Sequence, residues 1–381
     1  MTNDSSRPGP DPGSDDPGLH ASQDSGLHRP EDPVTPKPAG RPLGEGGSPD
    51  GDVAAPASGG PRLTSSLVKV AVTAALYVAV FYTIDTGAIW QRLRTVQIGW
   101  VAVGVLAYAS GQWLSAWRWW LLLRPVGLAV PYLRMVAFYF IGMFFNIFLP
   151  TIVGGDAVKA ILLARETSAP ARSTMSVFME RNVGLFALLT IATAAAFVAP
   201  PVDVKGFNLL QLTLLVFAAF VAANVVLANR PAYRLVDYLV ALTPLARIRS
   251  RAASLYEALV PYREARWRGL VAAATAQSFL FQAVVILVVF LNANALGFRV
   301  PVSALAVFVP LISLAGMLPI SVNGLGIREA LYLLLFGRIG VPADAAVSMA
   351  LLYFVVTLAA SLPGGIVYAL QRGPRGLSGR T

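Results

Sequence analysis

The 381-residue chain is 56% hydrophobic and only 13% charged, with a mean hydropathy of +0.62 and a net charge of +10. A soluble domain carries about 25% charged residues, so the composition points to a polytopic membrane protein. The absence of cysteine excludes disulfides, zinc–thiolate sites and thiol chemistry.

Residues 1–66 hold twelve Pro, eleven Gly, ten acids and five bases. Such a segment cannot bury enough surface to offset its ordering entropy and is expected to be a disordered acidic tail. It contains the chain's two histidines, His20 and His28, so the apolar body has no imidazole to act as base or metal ligand. The body, residues 67–371, reads as an all-α helical membrane bundle of about 6–8 spans. The last residues, 372–381, form a short basic tail.

The first apolar run covers 67–84, and a short loop with Arg92 and Arg94 follows. The second covers 98–123 and ends among Trp113, Trp117, Arg118, Trp119 and Trp120, an arrangement that suits an interfacial anchor. Arg118 has two readings, snorkelling to head groups or contacting a phosphate. Residues 134–150 are apolar and aromatic and end on Leu149-Pro150. Gly154-Gly155-Asp156 and a short helix to Glu166 come next. Spans are expected at 177–199, opening on Glu180-Arg181-Asn182, and at 209–227.

Loop 229–268 carries eight Arg against three acids, a bias that marks the cytoplasmic side. A span at 269–291, the apolar run 304–319, a second break and a last span at 347–370 complete the body. The second break reads Leu318-Pro319-Ile320-Ser321-Val322-Asn323-Gly324-Leu325-Gly326-Ile327-Arg328-Glu329. Pro removes a helix hydrogen bond and Gly opens unusual backbone angles, so both Pro-Gly stretches interrupt a helix. Interrupted helices at membrane depth line cavities or are buried in protein. Counting sides back from the basic loop places both termini in the cytoplasm. It also gives the two interrupted or re-entrant hairpins opposite entry faces, with three spans between them, as inverted repeats require.

Asp156 and Lys159 share a face at a helix start, where an Asp suits the positive helix end. Open backbone N–H groups at Gly154 and Gly155 can hold an anion; the plain alternative is a capping Asp beside a snorkelling Lys. Glu180 and Arg181 read as an interface charge pair or as partners of Asp156 and Lys159. Arg328 and Glu329 are adjacent and so point in different directions, after Asn323, Gly324 and Gly326; Asn323 tolerates a left-handed backbone. Ionisable residues at this depth tend to face the bundle interior and find partners. The body has no GxSxG, HExxH, P-loop or dinucleotide fingerprint. No catalytic residue, metal site, cofactor or nucleic-acid partner is expected.

The motifs around Phe145–Asp156, Glu180-Arg181-Asn182-Val183-Gly184 and Leu318–Glu329 resemble the lysylphosphatidylglycerol synthase transmembrane region, a flippase-like (UPF0104) family, over about residues 65–372. Gly154, Gly155, Asp156, Glu180, Arg181, Gly324, Gly326, Arg328 and Glu329 match its motif positions, with Asn323 where Gly is common. The resemblance implies a membrane region that moves aminoacylated phosphatidylglycerol between leaflets in bifunctional members, or that is associated with polyprenyl-linked sugars in others. The synthase domain is expected to be absent, since the chain ends at Thr381. The expected function is movement of a phospholipid or polyprenyl-linked lipid with an anionic head group across the plasma membrane. Arg118, Lys159, Arg181 and Arg328 would hold the phosphate, and Asp156, Glu180 and Glu329 would pair with them in the empty site. The alternatives are a polyprenyl-phosphate sugar transferase and a non-transporting accessory to an envelope-biosynthesis partner.

Overall fold

The computed structural model describes residues 63–82, 84–148, 154–198, 203–204, 207–241, 256–257, 259–318 and 320–371. The acidic tail expected for 1–66, apart from its last four residues, the basic tail at 372–381 and both breaking prolines, Pro150 and Pro319, lie outside the described residues.

Twelve α-helices are described: α1 (Leu63–Tyr82), α2 (Thr86–Arg94), α3 (Ile98–Leu123), α4 (Tyr132–Phe148), α5 (Gly154–Thr167), α6 (Pro170–Ala196), α7 (Leu209–Ala228), α8 (Arg230–Ala241), α9 (Arg268–Ala295), α10 (Val302–Gly316), α11 (Ile327–Gly337) and α12 (Ala343–Gln371). A two-residue antiparallel pair, Asp203–Val204 with Phe207–Asn208, precedes α7. The expectation of an all-helical membrane bundle holds.

Among the described residues, α6, α7, α9 and α12 are long and apolar enough to cross a bilayer, and the bent pair α1–α2 adds a fifth candidate. α3 has the length, at 26 residues, but Ser110, Gln112, Ser115 and Arg118 dilute its apolar character. The segment around Arg92 and Arg94 is helix α2 rather than a loop. Asp85 starts it by accepting a hydrogen bond from the Gly87 N–H (2.8 Å), and α2 turns 85° from α1. Arg92 then reaches across to pair with Asp344 at the start of α12.

The arms of the two hairpins are short. α4 and α5 have 17 and 14 residues, α10 and α11 have 15 and 11. Each falls below the roughly 20 residues of a full span.

The packing has an internal correspondence. α3 lies along α9, and the two run antiparallel: Arg118 meets Ser278, while a Cβ on Gly111 would touch Val284 and Phe281. α4 packs on α12, and its counterpart α10 packs on α6, so each hairpin leans on the long helix that follows the other. Each half has its own apolar core. The first gathers Trp119, Leu122, Met135, Leu163 and Met175, and the second Leu305, Phe308, Phe336 and Met349. The same spacing separates Pro150 from Pro319, Gly155 from Gly324 and Lys159 from Arg328. The two breaks are therefore equivalent in sequence register as well as in packing.

The second break is held by α1. The Thr73 hydroxyl accepts the Val322 N–H (2.8 Å), and Leu76 lies where a Cβ on Gly326 would fall, 2.7 Å from the Leu76 Cβ. Asn323 is in the left-handed region (φ 50°, ψ 32°), as its side chain allows.

Candidate functional site

The first half builds a buried charge cluster. α5 begins at the Gly pair, which places Asp156 and Lys159 one turn apart, and the Lys159 ammonium bonds Asp156 Oδ1 at 2.9 Å. α6 presents Glu180 and Arg181. Glu180 Oε2 takes Lys159 Nζ at 2.9 Å, Oε1 takes Arg118 Nη2 and the Tyr139 hydroxyl (3.2 Å), and Arg181 Nε meets Asp156 Oδ2 at 2.5 Å. Arg118 also donates to the Ser278 hydroxyl (3.0 Å) from across the α3–α9 seam. Lys159 sits over the rings of Tyr139 and Trp119, 4.5 and 5.3 Å from their centroids.

Of the two readings for Arg118, snorkelling does not hold. Its side chain is buried because a carboxylate inside the bundle neutralises it. The sharper reading of Glu180 and Arg181, as partners of Lys159 and Asp156, is the one the structure shows. The tryptophans divide. Trp113 and Trp117 are exposed on the outer face, while Trp119 is fully buried and donates to Ser176 Oγ (3.1 Å).

Close backbone approach makes the cluster possible. A Cβ on Gly155 would collide with the Gly142 carbonyl, and one on Gly142 would lie 2.5 Å from Lys159 Cγ. Small residues at this seam let α4 and α5 pack backbone to backbone.

The second half contributes Arg328 and Glu329. Adjacent on a helix, they were expected to diverge, yet Arg328 Nη2 and Nε bond Glu329 Oε1 at 2.8 and 3.2 Å. The long guanidinium arm folds back because Glu329 is held in place: its other oxygen accepts the Gly326 N–H (2.6 Å), closing the first turn of α11. Arg328 lies 5.9 and 5.5 Å from the ring centroids of Tyr353 and Phe354.

Both clusters open on one cavity of about 300 Å³, lined from both halves. Gly155, Asp156, Lys159, Glu180, Arg181, Arg118, Asn323, Gly324 and Arg328 line it; Gly154, Gly326 and Glu329 support the lining without forming it. The lining also includes the apolar residues Leu185, Leu188, Val285, Val289 and Ile312. Sequence reasoning missed Tyr108, Gln112, Tyr139, Gln282 and Tyr353, which also line the cavity. A signal was present: on α3, Tyr108, Gln112, Ser115 and Arg118 recur every three or four residues, one polar stripe on an apolar helix. Among the described residues, no three His, Cys, Asp or Glu gather as metal ligands, and the cavity's carboxylates are bound by cations.

Fold and site together define a polytopic helical membrane protein in which two hairpin-bearing halves share one charged cavity. The family model described as "Lysylphosphatidylglycerol synthase TM region" matches residues 66–365, and the chain belongs to that family. A comparison with curated proteins finds no match.

Proposed function

We propose that this protein carries an amphiphile with an anionic head group, a phospholipid or a polyprenyl-linked lipid, across the cell membrane, with both termini in the cytoplasm. One observation carries the reading: cations from both halves line a cavity that also has apolar lining. Arg181 meets Asp156 through Nε alone, and its side chain is 39% exposed. Among the described residues its terminal nitrogens make no hydrogen bond, which leaves them for a ligand. Arg328 offers a second guanidinium from the other hairpin.

An anionic oxygen entering between Arg181 and Arg328 would compete with Asp156 and Glu329, so binding and release exchange one set of ion pairs for another. Rocking of one half against the other would expose the cavity to each leaflet in turn. The arginine bias of loop 229–268 supports the orientation. The reading involves no catalytic step.

The test is a leaflet assay in liposomes holding the full chain and acyl-labelled phosphatidylglycerol. Arg181→Ala and Arg328→Ala should each slow movement about 10- to 100-fold, the equivalent of one charge-assisted hydrogen bond of about 1.5–3 kcal/mol. Variants that fold and move the lipid as fast as the parent would remove these residues from the site.

A further inference from the structure

One end of the molecule carries a built surface away from the cavity. α3 and α7 finish there and α9 begins there. Side chains between α8 and α9 tie these ends together. The Tyr262 hydroxyl donates to the Leu122 carbonyl of α3 (2.7 Å), and Arg263 Nη2 donates to the Leu227 carbonyl in the last turn of α7. Arg263 Nη1 donates to the Tyr256 hydroxyl (3.0 Å). Leu259 and Tyr262 are buried in the core of the first half. Residues 259–263 are therefore a packed platform.

α8 rests on this platform by one side. It begins one residue after α7, and its Tyr233 ring stacks on Tyr256 with the centroids 3.7 Å apart. By the helix period, Arg230, Arg234, Tyr238 and Leu235 share another, contiguous face. All four are exposed, Tyr238 to 62% and Leu235 to 61%. Two guanidinium groups thus edge an apolar strip. The sequence of α8 has one acid, Asp237. Beside the platform, Arg124, Arg266 and Arg268 are exposed as well, while Glu264 is held by Arg266 (2.6 Å).

The height of this face follows from α7. That helix is apolar and, of the span candidates, the one least covered by protein, so lipid surrounds it. Asn229 ends the apolar run, and α8 starts where the head groups lie. A basic helix with an exposed Tyr–Leu strip suits that layer: arginines meet phosphates and the apolar side chains enter the acyl boundary.

We propose that α8 lies in the head-group layer of the leaflet where α7 ends, and that Arg230 and Arg234 hold anionic phospholipid there. None of these residues lines the cavity, so the contact is separate from the candidate transport site.

The chain has no cysteine, so Tyr238→Cys accepts a single fluorophore. The labelled full chain is placed in vesicles of phosphatidylcholine alone or mixed with phosphatidylserine, each containing a lipid spin-labelled at the head group. Quenching should be at least threefold stronger in the mixed vesicles, since each arginine near an anionic surface favours contact about fivefold. Adding Arg230→Gln and Arg234→Gln should lower it to the level in phosphatidylcholine. So should 1 M salt, where the screening length falls to about 3 Å. A fluorophore on Val225→Cys, 54% exposed near the end of α7, should be quenched alike in both vesicle types and in the arginine variant, which reports folding and insertion. Equal quenching at position 238 in the two vesicle types, or quenching that survives the loss of both arginines, would overturn the proposal. So would no quenching at 238 beside a normal signal at 225, the result expected if a soluble partner covers this face.

Discussion

Glu180→Gln is expected to destabilise the protein by about 3–5 kcal/mol, the usual consequence of removing one member of a buried ion network. Glu180 is the only carboxylate that touches both Arg118 and Lys159 among the described residues, and all three side chains are almost fully buried. Without it, three cations face Asp156 alone. Thermal unfolding of the purified protein in detergent reads the loss. The double variant Glu180→Gln/Arg118→Met restores the original charge balance, so it should be more stable than Glu180→Gln alone. If the two losses simply add, the pair is not coupled and the network does not organise the first half.

Gly155→Ala should be nearly as damaging. Its new Cβ would fall on the Gly142 carbonyl and 2.7 Å from Asn146 Cβ, neither of which can move without shifting α4. Overpacking of this kind costs about 1–3 kcal/mol where neighbours can yield; here the obstacle is backbone, which puts the effect at the upper end. α5 carries Asp156 and Lys159, so any shift also displaces both charges. Gly269→Ala is the comparison, because nothing lies within 4 Å of a Cβ there. Folded yield and thermal unfolding should drop for Gly155→Ala and hold for Gly269→Ala; equal behaviour would remove the close approach as the reason for the Gly pair.

Much of the candidate site could be read in advance because ionisable residues are rare in an apolar body. Asp156, Lys159, Glu180, Arg181 and Arg328 stand out against their neighbours and do line the cavity. Tyr108, Gln112, Gln282 and Tyr353 did not stand out, since polar uncharged residues are ordinary in helices and their meaning depends on which helix faces them. The bond between Arg328 and Glu329 was also hidden. Helix geometry separates adjacent side chains at their Cβ atoms, and only the fixed position of Glu329 against the Gly326 N–H draws the arginine back.

Composition and hydropathy were enough to indicate a helical membrane protein, and Pro and Gly marked the two places where its helices break off; the count of about 6–8 spans exceeds the four or five candidates among the described residues. These follow from local physics: apolar length against bilayer thickness, and backbone chemistry at Pro and Gly. The partners were settled only by the packing of α3 on α9 and of each hairpin on the helix that follows the other. That packing turned Arg118 from a surface anchor into the partner of Glu180, and brought Arg181 and Arg328 from opposite halves to one cavity. The reason is that a buried charge takes whichever opposite charge the fold places within reach, and residues far apart in the chain come within reach only through tertiary structure.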